Sequence, residues 1–315
     1  MADIKTVATR ASYGEALVEL GQKRDDFIVL DADLAAATQT GKFKAAFPDR
    51  FYDCGIAEQN MMGIAAGIAS TGKRVFVSSF AMFASGRAFE QIRNSICYPK
   101  LPVIIGATHG GISVGEDGAT HQCLEDIALM RTLPNMTVIN PADATEAKKA
   151  VYAAIEHDGP VYMRFGRYAV PVIFDQSYDF KIGKASVLRE GKDVTIIATG
   201  LMVNEALKAY DTLKAEGISA RVINMATIKP LDTDAVVSAA RDTGAIVTAE
   251  EHSVIGGLGG AVCETLSEVC PVPVVKLGVY DKFGFSGPAA KLLDIFGLRA
   301  ENIAEKAKQA IALKK

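Results

Sequence analysis

The sequence of 315 residues predicts two doubly wound α/β domains meeting near residue 185. Short β-branched and apolar runs alternate with longer segments of helical periodicity. Such alternation builds mostly parallel sheets with helices on both faces. The length suits about two domains. A polar, aperiodic stretch over 175–193 parts two such series, so the domains are placed at 1–184 and 185–315.

In the first series, the opening segment 6–22 carries helical periodicity. The apolar run 27–30 predicts a strand, the Met-, Gly-, Ala- and Ile-rich 58–70 a helix, and 74–77 the next strand. Helix 87–95, strand 102–107, helix 123–132 and strand 136–139 follow. Helix 144–157 has Asp143 and Thr145 as candidate caps, and strand 161–163 ends the series. The second series runs strand 194–198, helix 204–216, strand 221–224, helix 232–240, strand 245–248, helix 258–269 and strand 274–277. An amphipathic helix over 301–313 closes it.

With 34 basic against 37 acidic residues, the chain lacks the basic face that nucleic acid or an anionic membrane requires. Its five cysteines are odd in number and contain no C-x-x-C pair, which fits reduced thiols in a cytoplasm. The N-terminus does not read as a signal peptide, and the longest helix-like apolar stretch, 61–69, is under half a membrane span. A cytoplasmic protein is expected.

Ligands of open parallel sheets sit beyond the carboxyl ends of the strands. The first domain collects its unusual polar residues there: Asp31 and Asp33 after one strand, Ser78, Ser79 and Phe80 after the next, His109, Asp117 and His121 after a third, and Arg164 and Arg167 after the last. The loop from His109 to His121 joins four glycines, two acids and two histidines. Glycine lets backbone approach a ligand closely, and histidine binds hydroxyls and carries protons near neutral pH. A plain glycine-rich turn with solvated histidines is an equal reading of this segment. Zinc is disfavoured, because the histidines lack short ligand spacing.

Glu58 opens an almost wholly apolar helix. A first-turn acid complements the helix dipole, whereas a carboxylate in dry surroundings needs a partner and marks functional sites. Phe80 and Phe83, three apart, suit either core or a platform for a ligand. Gly256-Gly-Leu-Gly-Gly260 is expected to be a tight helix start, and Glu250-Glu251-His252 a solvated or interdomain turn. The cysteines read as small buried residues.

The segments ATRAS (8–12), DADL (31–34), GIAEQN (55–60), SSFAMF (78–83), THGGISVGEDGATHQ (108–122) and PNMTVINPAD (134–143) together resemble the pyrimidine-binding domain of transketolase. Residues from about 190 resemble its C-terminal domain. The resemblance implies thiamine diphosphate as cofactor, with Glu58 bonded to the aminopyrimidine, Phe80 and Phe83 walling it, and Asp33 close to it. It implies that His109, Asp117 and His121 bind sugar hydroxyls and assist proton transfer, and that Arg10 and Arg164 bind phosphate, whose geometry suits guanidinium forks.

Two departures accompany the likeness: Gly86 replaces a third pocket aromatic, and Ala36-Ala37 replace a Pro-Ser that contributes a phosphate contact. The family's GDG…N motif for diphosphate and Mg²⁺ has no match, since Glu116-Asp-Gly118 belongs to the substrate loop. The chain is therefore expected to be the C-terminal subunit of a split transketolase. Its N-terminal partner would carry the Mg²⁺ ligands in an α2β2 assembly acting on sugar phosphates. Competing readings are the β-subunit of a 2-oxo acid dehydrogenase, a 1-deoxyxylulose-5-phosphate synthase type, a transketolase for a modified sugar such as a sulfonate, and a non-catalytic subunit.

Overall fold

The computed structural model describes residues 5–314. Seven strands form the first sheet, in the order Thr227–Lys229, Thr137–Ile139, Val161–Phe165, Val103–Thr108, Arg74–Phe80, Phe27–Asp31 and Phe51–Asp53. Every pairing is parallel except that of Thr227–Lys229 on Thr137–Ile139. Its central strands are buried on both faces, which is why they read as continuous apolar runs rather than alternating ones. Val75 and Val77 face helix Glu58–Ala69 through Met61, Met62 and Ala65. Phe76 points the other way, with Phe27 and Ile104, toward helices Thr9–Lys23 and Ala144–Glu156.

The second sheet has five strands, ordered Val274–Val279, Ile246–Ser253, Val194–Ala198, Ala220–Asn224 and Ser186–Arg189, the last antiparallel. Two doubly wound α/β layers result, as the sequence predicts. The expected helix 6–22 begins only at Thr9, because Thr6–Ala8 pairs with Ala169–Pro171. The expected helix 123–132 begins at Asp126, since Cys123 is held in a bridge to Gly110. Segment 87–95 is not a regular helix: wide π turns at Phe83–Arg87 and Ile92–Cys97 flank a short helix, Phe89–Gln91.

Five strands escape the pattern of the sequence: Thr6–Ala8, Phe51–Asp53, Ala169–Pro171, Ser186–Arg189 and Thr227–Lys229. Ser186–Arg189 is a half-exposed edge inside the polar stretch. Thr227–Lys229, from the second series, caps the edge of the first sheet and so ties the two halves together. Among the described residues no helix is long and apolar enough to cross a membrane. Cys97 and Cys123 are buried, while Cys54, Cys263 and Cys270 are half-buried, and all five are free thiols.

Candidate active site

Parallel register aligns the strand ends: Asp31 lies beside Ser78, Phe80 beside Thr108, and Thr108 beside Phe165. The loops that follow are therefore delivered to one edge. There the rings of Phe80 and His109 stack with centroids 3.8 Å apart, and Phe83 stacks on Phe80 at 5.9 Å. The His121 ring meets Phe83 edge-on at 5.2 Å. Phe80 and Phe83 are thus walls of a group of rings that includes both loop histidines.

His109 is buried and takes a left-handed backbone conformation, φ 59°. Its Nε2 faces Arg10 Nη1 at 3.2 Å and its Nδ1 faces Thr108 Oγ1 at 2.8 Å. Arginine only donates, so Nε2 accepts and Nδ1 carries the hydrogen. Burial, then the positive charges of Arg10 and Arg167, push the imidazole pKa down to about 3. It is neutral at any physiological pH. His121 is half-buried, with Nδ1 2.9 Å from Thr120 Oγ1, and Asp117 stands exposed on the outer turn of the same loop.

Glu58 occupies the first position of its helix and is 1% exposed. Ser79 Oγ donates to Oε1 at 3.3 Å and Arg87 Nη1 pairs with Oε2 at 2.7 Å. The Arg87 guanidinium also sits 4.7 Å above the Phe83 ring, so the carboxylate joins the aromatic group through one cation. Nothing in the sequence pattern singles out Arg87. Asp33 has φ 60°, its N–H donates to Asp53 Oδ1 at 3.0 Å, and its residue is exposed. Behind it, buried Asp31 accepts from Leu34 N and the hydroxyls of Thr38 and Thr40, and burial pushes its pKa up to about 6. Asp31 anchors the loop that displays Asp33.

The cations are placed differently from the sequence expectation. Arg10 is half-buried and donates to the Ala37 carbonyl at 2.7 Å as well as to His109. Arg164 is not in the group. It is 3% exposed, its Nε pairs with Asp126 Oδ2 at 2.8 Å, and its Nη2 donates to the carbonyls of Cys123 and Glu251. Arg164 still lies within strand Val161–Phe165 and points into the domain interface. Arg167, beyond the strand end, is the residue that reaches the loop, donating to Val114 O and to Glu116 Oε2. Burial lowers the Arg10 pKa most and the Arg167 charge lowers it further, as it does that of His109. The end of the strand was the signal that separates the two arginines.

Among the described residues no three His, Cys, Asp or Glu side chains converge to hold a metal ion. Glu250, Glu251 and His252 are not a solvated turn: strand Ile246–Ser253 buries all three, and Glu251 and His252 meet the first domain at Ser113 and Ala128, as the interdomain expectation has it. The glycines after them do start a helix, Leu258–Val269, whose first N–H groups donate to the Glu250 carboxylate.

Residues 5–172 match the family model of the transketolase pyrimidine-binding domain, and residues 183–303 that of the transketolase C-terminal domain. A putative transketolase C-terminal section from Methanocaldococcus jannaschii is 52% identical over 300 residues, 94% of either chain. A 6-deoxy-6-sulfo-D-fructose transketolase subunit from Clostridium sp. (strain MSTE9) is 46% identical, over 93% of this chain and 91% of its own. A solved structure described as a split gene transketolase, inactive beta4 tetramer, has TM-score 0.92 and 56% identity, covering 98% of this chain and 100% of that one. Two family domains in sequence, carried on a scaffold shared along its length with these relatives, show that the chain belongs to the transketolase family.

Proposed function

We propose that this chain is the C-terminal subunit of a two-chain, thiamine-diphosphate-dependent transketolase. It moves a two-carbon ketol unit from a ketose phosphate to an aldose phosphate. The observation that carries the reading is the grouping of buried Glu58 with Phe80, Phe83, His109 and His121 at one sheet edge. A buried carboxylate beside stacked apolar rings fits an aminopyrimidine, which offers a flat face and ring nitrogens that exchange protons. When bound, the cofactor supplies the carbanion chemistry of carbon–carbon cleavage.

In this reading Glu58 shares a proton with the pyrimidine nitrogen, and Phe80 and Phe83 exclude water from the ring. Asp33 stands near the cofactor. His109 is held neutral, so it orients sugar hydroxyls by hydrogen bonding rather than serving as an acid. His121 and Asp117 complete the hydroxyl contacts. Arg10 and Arg167, rather than Arg164, form the anion seat, because Arg10 touches the His109 imidazole and the Arg167 charge acts on both groups.

An N-terminal partner subunit in the cytoplasm supplies the diphosphate and Mg²⁺ contacts, in an α2β2 assembly. The relative described as an inactive tetramer of β chains supports this dependence on a partner. A sulfonated sugar is the second reading, since an arginine pair takes sulfonate as well as phosphate and one relative is a sulfo-fructose transketolase subunit. The test mixes the purified chain with its N-terminal candidate, thiamine diphosphate, Mg²⁺, xylulose 5-phosphate and ribose 5-phosphate. Activity is expected only in the mixture; robust turnover by the lone chain would overturn the two-chain reading.

A further inference from the structure

Glu251 belongs to the second domain, yet its carboxylate serves the loop of the first. It is 4% exposed, and its Oε1 accepts the backbone N–H of Ser113 at 2.5 Å. Ser113 lies in the single 3-10 turn of that loop, Ile112–Val114. The carbonyl of Val114, at the end of the turn, accepts from Arg167. The fit is close on the other side too. Gly111 has φ 91°, and a Cβ there would stand 2.3 Å from the Glu251 carboxyl carbon. One on Gly110 would stand 2.6 Å from Arg164. The far end of the loop is held by the same domain, where Gln122 Nε2 donates to Phe285 O at 3.0 Å and Ser286 Oγ to Glu116 O at 2.6 Å.

Burying a carboxylate at a domain interface is costly, and an apolar side chain would fill the volume at less cost. The Arg164 guanidinium bonds the Glu251 carbonyl, not its carboxylate. What the carboxylate holds is the amide of the turn. We propose that Glu251 is a positioning residue: by fixing the turn Ile112–Val114, it aims Arg167 at the anionic end of the substrate. The inference rests on the transketolase reading for the identity of that substrate, but the mechanical link from Glu251 to Arg167 does not. The second domain thereby acts on specificity without touching the reacting atoms.

The test uses the full chain with Glu251→Ala and Glu251→Gln, and Arg167→Ala for comparison. Gln keeps a carbonyl oxygen for the Ser113 amide, and burial already pushes the Glu251 carboxyl up to about 7, toward the neutral acid that Gln mimics. Binding of inorganic phosphate is followed by ³¹P NMR, and amide exchange over residues 109–122 by mass spectrometry. Glu251→Ala is expected to weaken phosphate binding roughly ten- to hundredfold, the value of a charge-assisted contact, as Arg167→Ala does. Exchange should quicken in 109–122 and not across the second sheet, and Glu251→Gln should recover most of both. In the reconstituted enzyme, Glu251→Ala should raise KM for phosphorylated acceptors with kcat changed by no more than about threefold.

Equal losses on phosphorylated and unphosphorylated acceptors, exchange that quickens throughout the chain, or wild-type protein that does not bind phosphate would each overturn the proposal. If phosphate binding responds to Glu251 while the wild-type mixture lacks transketolase activity, the functional reading fails and this inference stands.

Discussion

Replacing Arg164 by alanine separates a structural arginine from a phosphate-binding one. The Arg164–Asp126 pair is 2.8 Å long, with side chains 4% and 0% exposed. Without Arg164, the only hydrogen bond the Asp126 carboxylate keeps is from the Tyr162 hydroxyl, at 2.8 Å; its Oδ1 has none, with the neutral His252 imidazole 4.0 Å away. Leaving one charge of a buried pair uncompensated costs about 3–5 kcal/mol. The carbonyls of Cys123 and Glu251 lose donors as well. At a few degrees per kcal/mol for a chain of this size, the midpoint of thermal unfolding should fall by on the order of 10 °C. Circular dichroism of the purified chain measures it. The double variant Arg164→Met with Asp126→Leu should recover much of the loss, since apolar replacement of a buried pair is often neutral. In the reconstituted enzyme at a temperature where Arg164→Ala is folded, KM should change alike for phosphorylated and unphosphorylated acceptors. A midpoint within about 1 °C of wild type, together with a KM rise confined to phosphorylated sugars, would refute the assignment.

Arg167→Ala should behave in the opposite way: unfolding nearly unchanged, and KM for phosphorylated acceptors raised roughly ten- to hundredfold in steady-state assays. Glu58→Gln should keep the far-ultraviolet circular dichroism spectrum and lower kcat by about 10²–10⁴-fold, the usual worth of a positioned proton-sharing group. A loss of no more than about twofold would leave Glu58 as a helix-start acid. The His109 imidazole, assigned by NMR against His109→Gln, should show no titration between pH 5 and 8, because its midpoint lies at about 3. The unfolded chain takes up that proton near pH 6.5. The stability this group contributes is therefore full above about 6.5 and is lost as pH falls toward 3, so His109→Gln should flatten the acid side of the stability curve. A His109 midpoint near 6.5 would contradict the burial and arginine contacts described above.

The parallel core was legible because burial on both faces writes strands such as Val103–Thr108 as unbroken apolar runs. Of the edge strands, only Val274–Val279 was legible. Ser186–Arg189 packs on one side only and lies in polar sequence, and Thr227–Lys229 joins a sheet whose other members are far away in the chain. Glu58 stood out as an acid opening an apolar helix, and its burial bears out that oddity. Arg87 could not be seen, since its meaning comes from a π turn that swings it over Phe83 toward Glu58. Arg164 and Arg167 differ by three positions, and only the end of the strand at Phe165 decides which of them leaves the sheet. The Glu250-Glu251-His252 triplet read as a solvated or interdomain turn because charges are seldom buried without a partner. Its burial is made by the docking of one domain on the other, which no local pattern encodes.

The electrostatics of the sheet edge join these pieces into one device. Burial is the largest cause of the depressed His109 pKa, and the Arg10 and Arg167 charges come next. An anion seated near those arginines, as proposed, would cancel part of their field at the imidazole but leave the burial. The anionic end of a substrate would therefore make His109 more basic, and by linkage any added positive charge on His109 would strengthen the anion's hold. Arg10 is fixed from the first domain, through Ala37 O, whereas Arg167 is fixed through a turn that the second domain holds. The field at His109 is thus set jointly by two domains. A disturbance of Glu251 would reach the imidazole through Arg167, although the two residues share no bond.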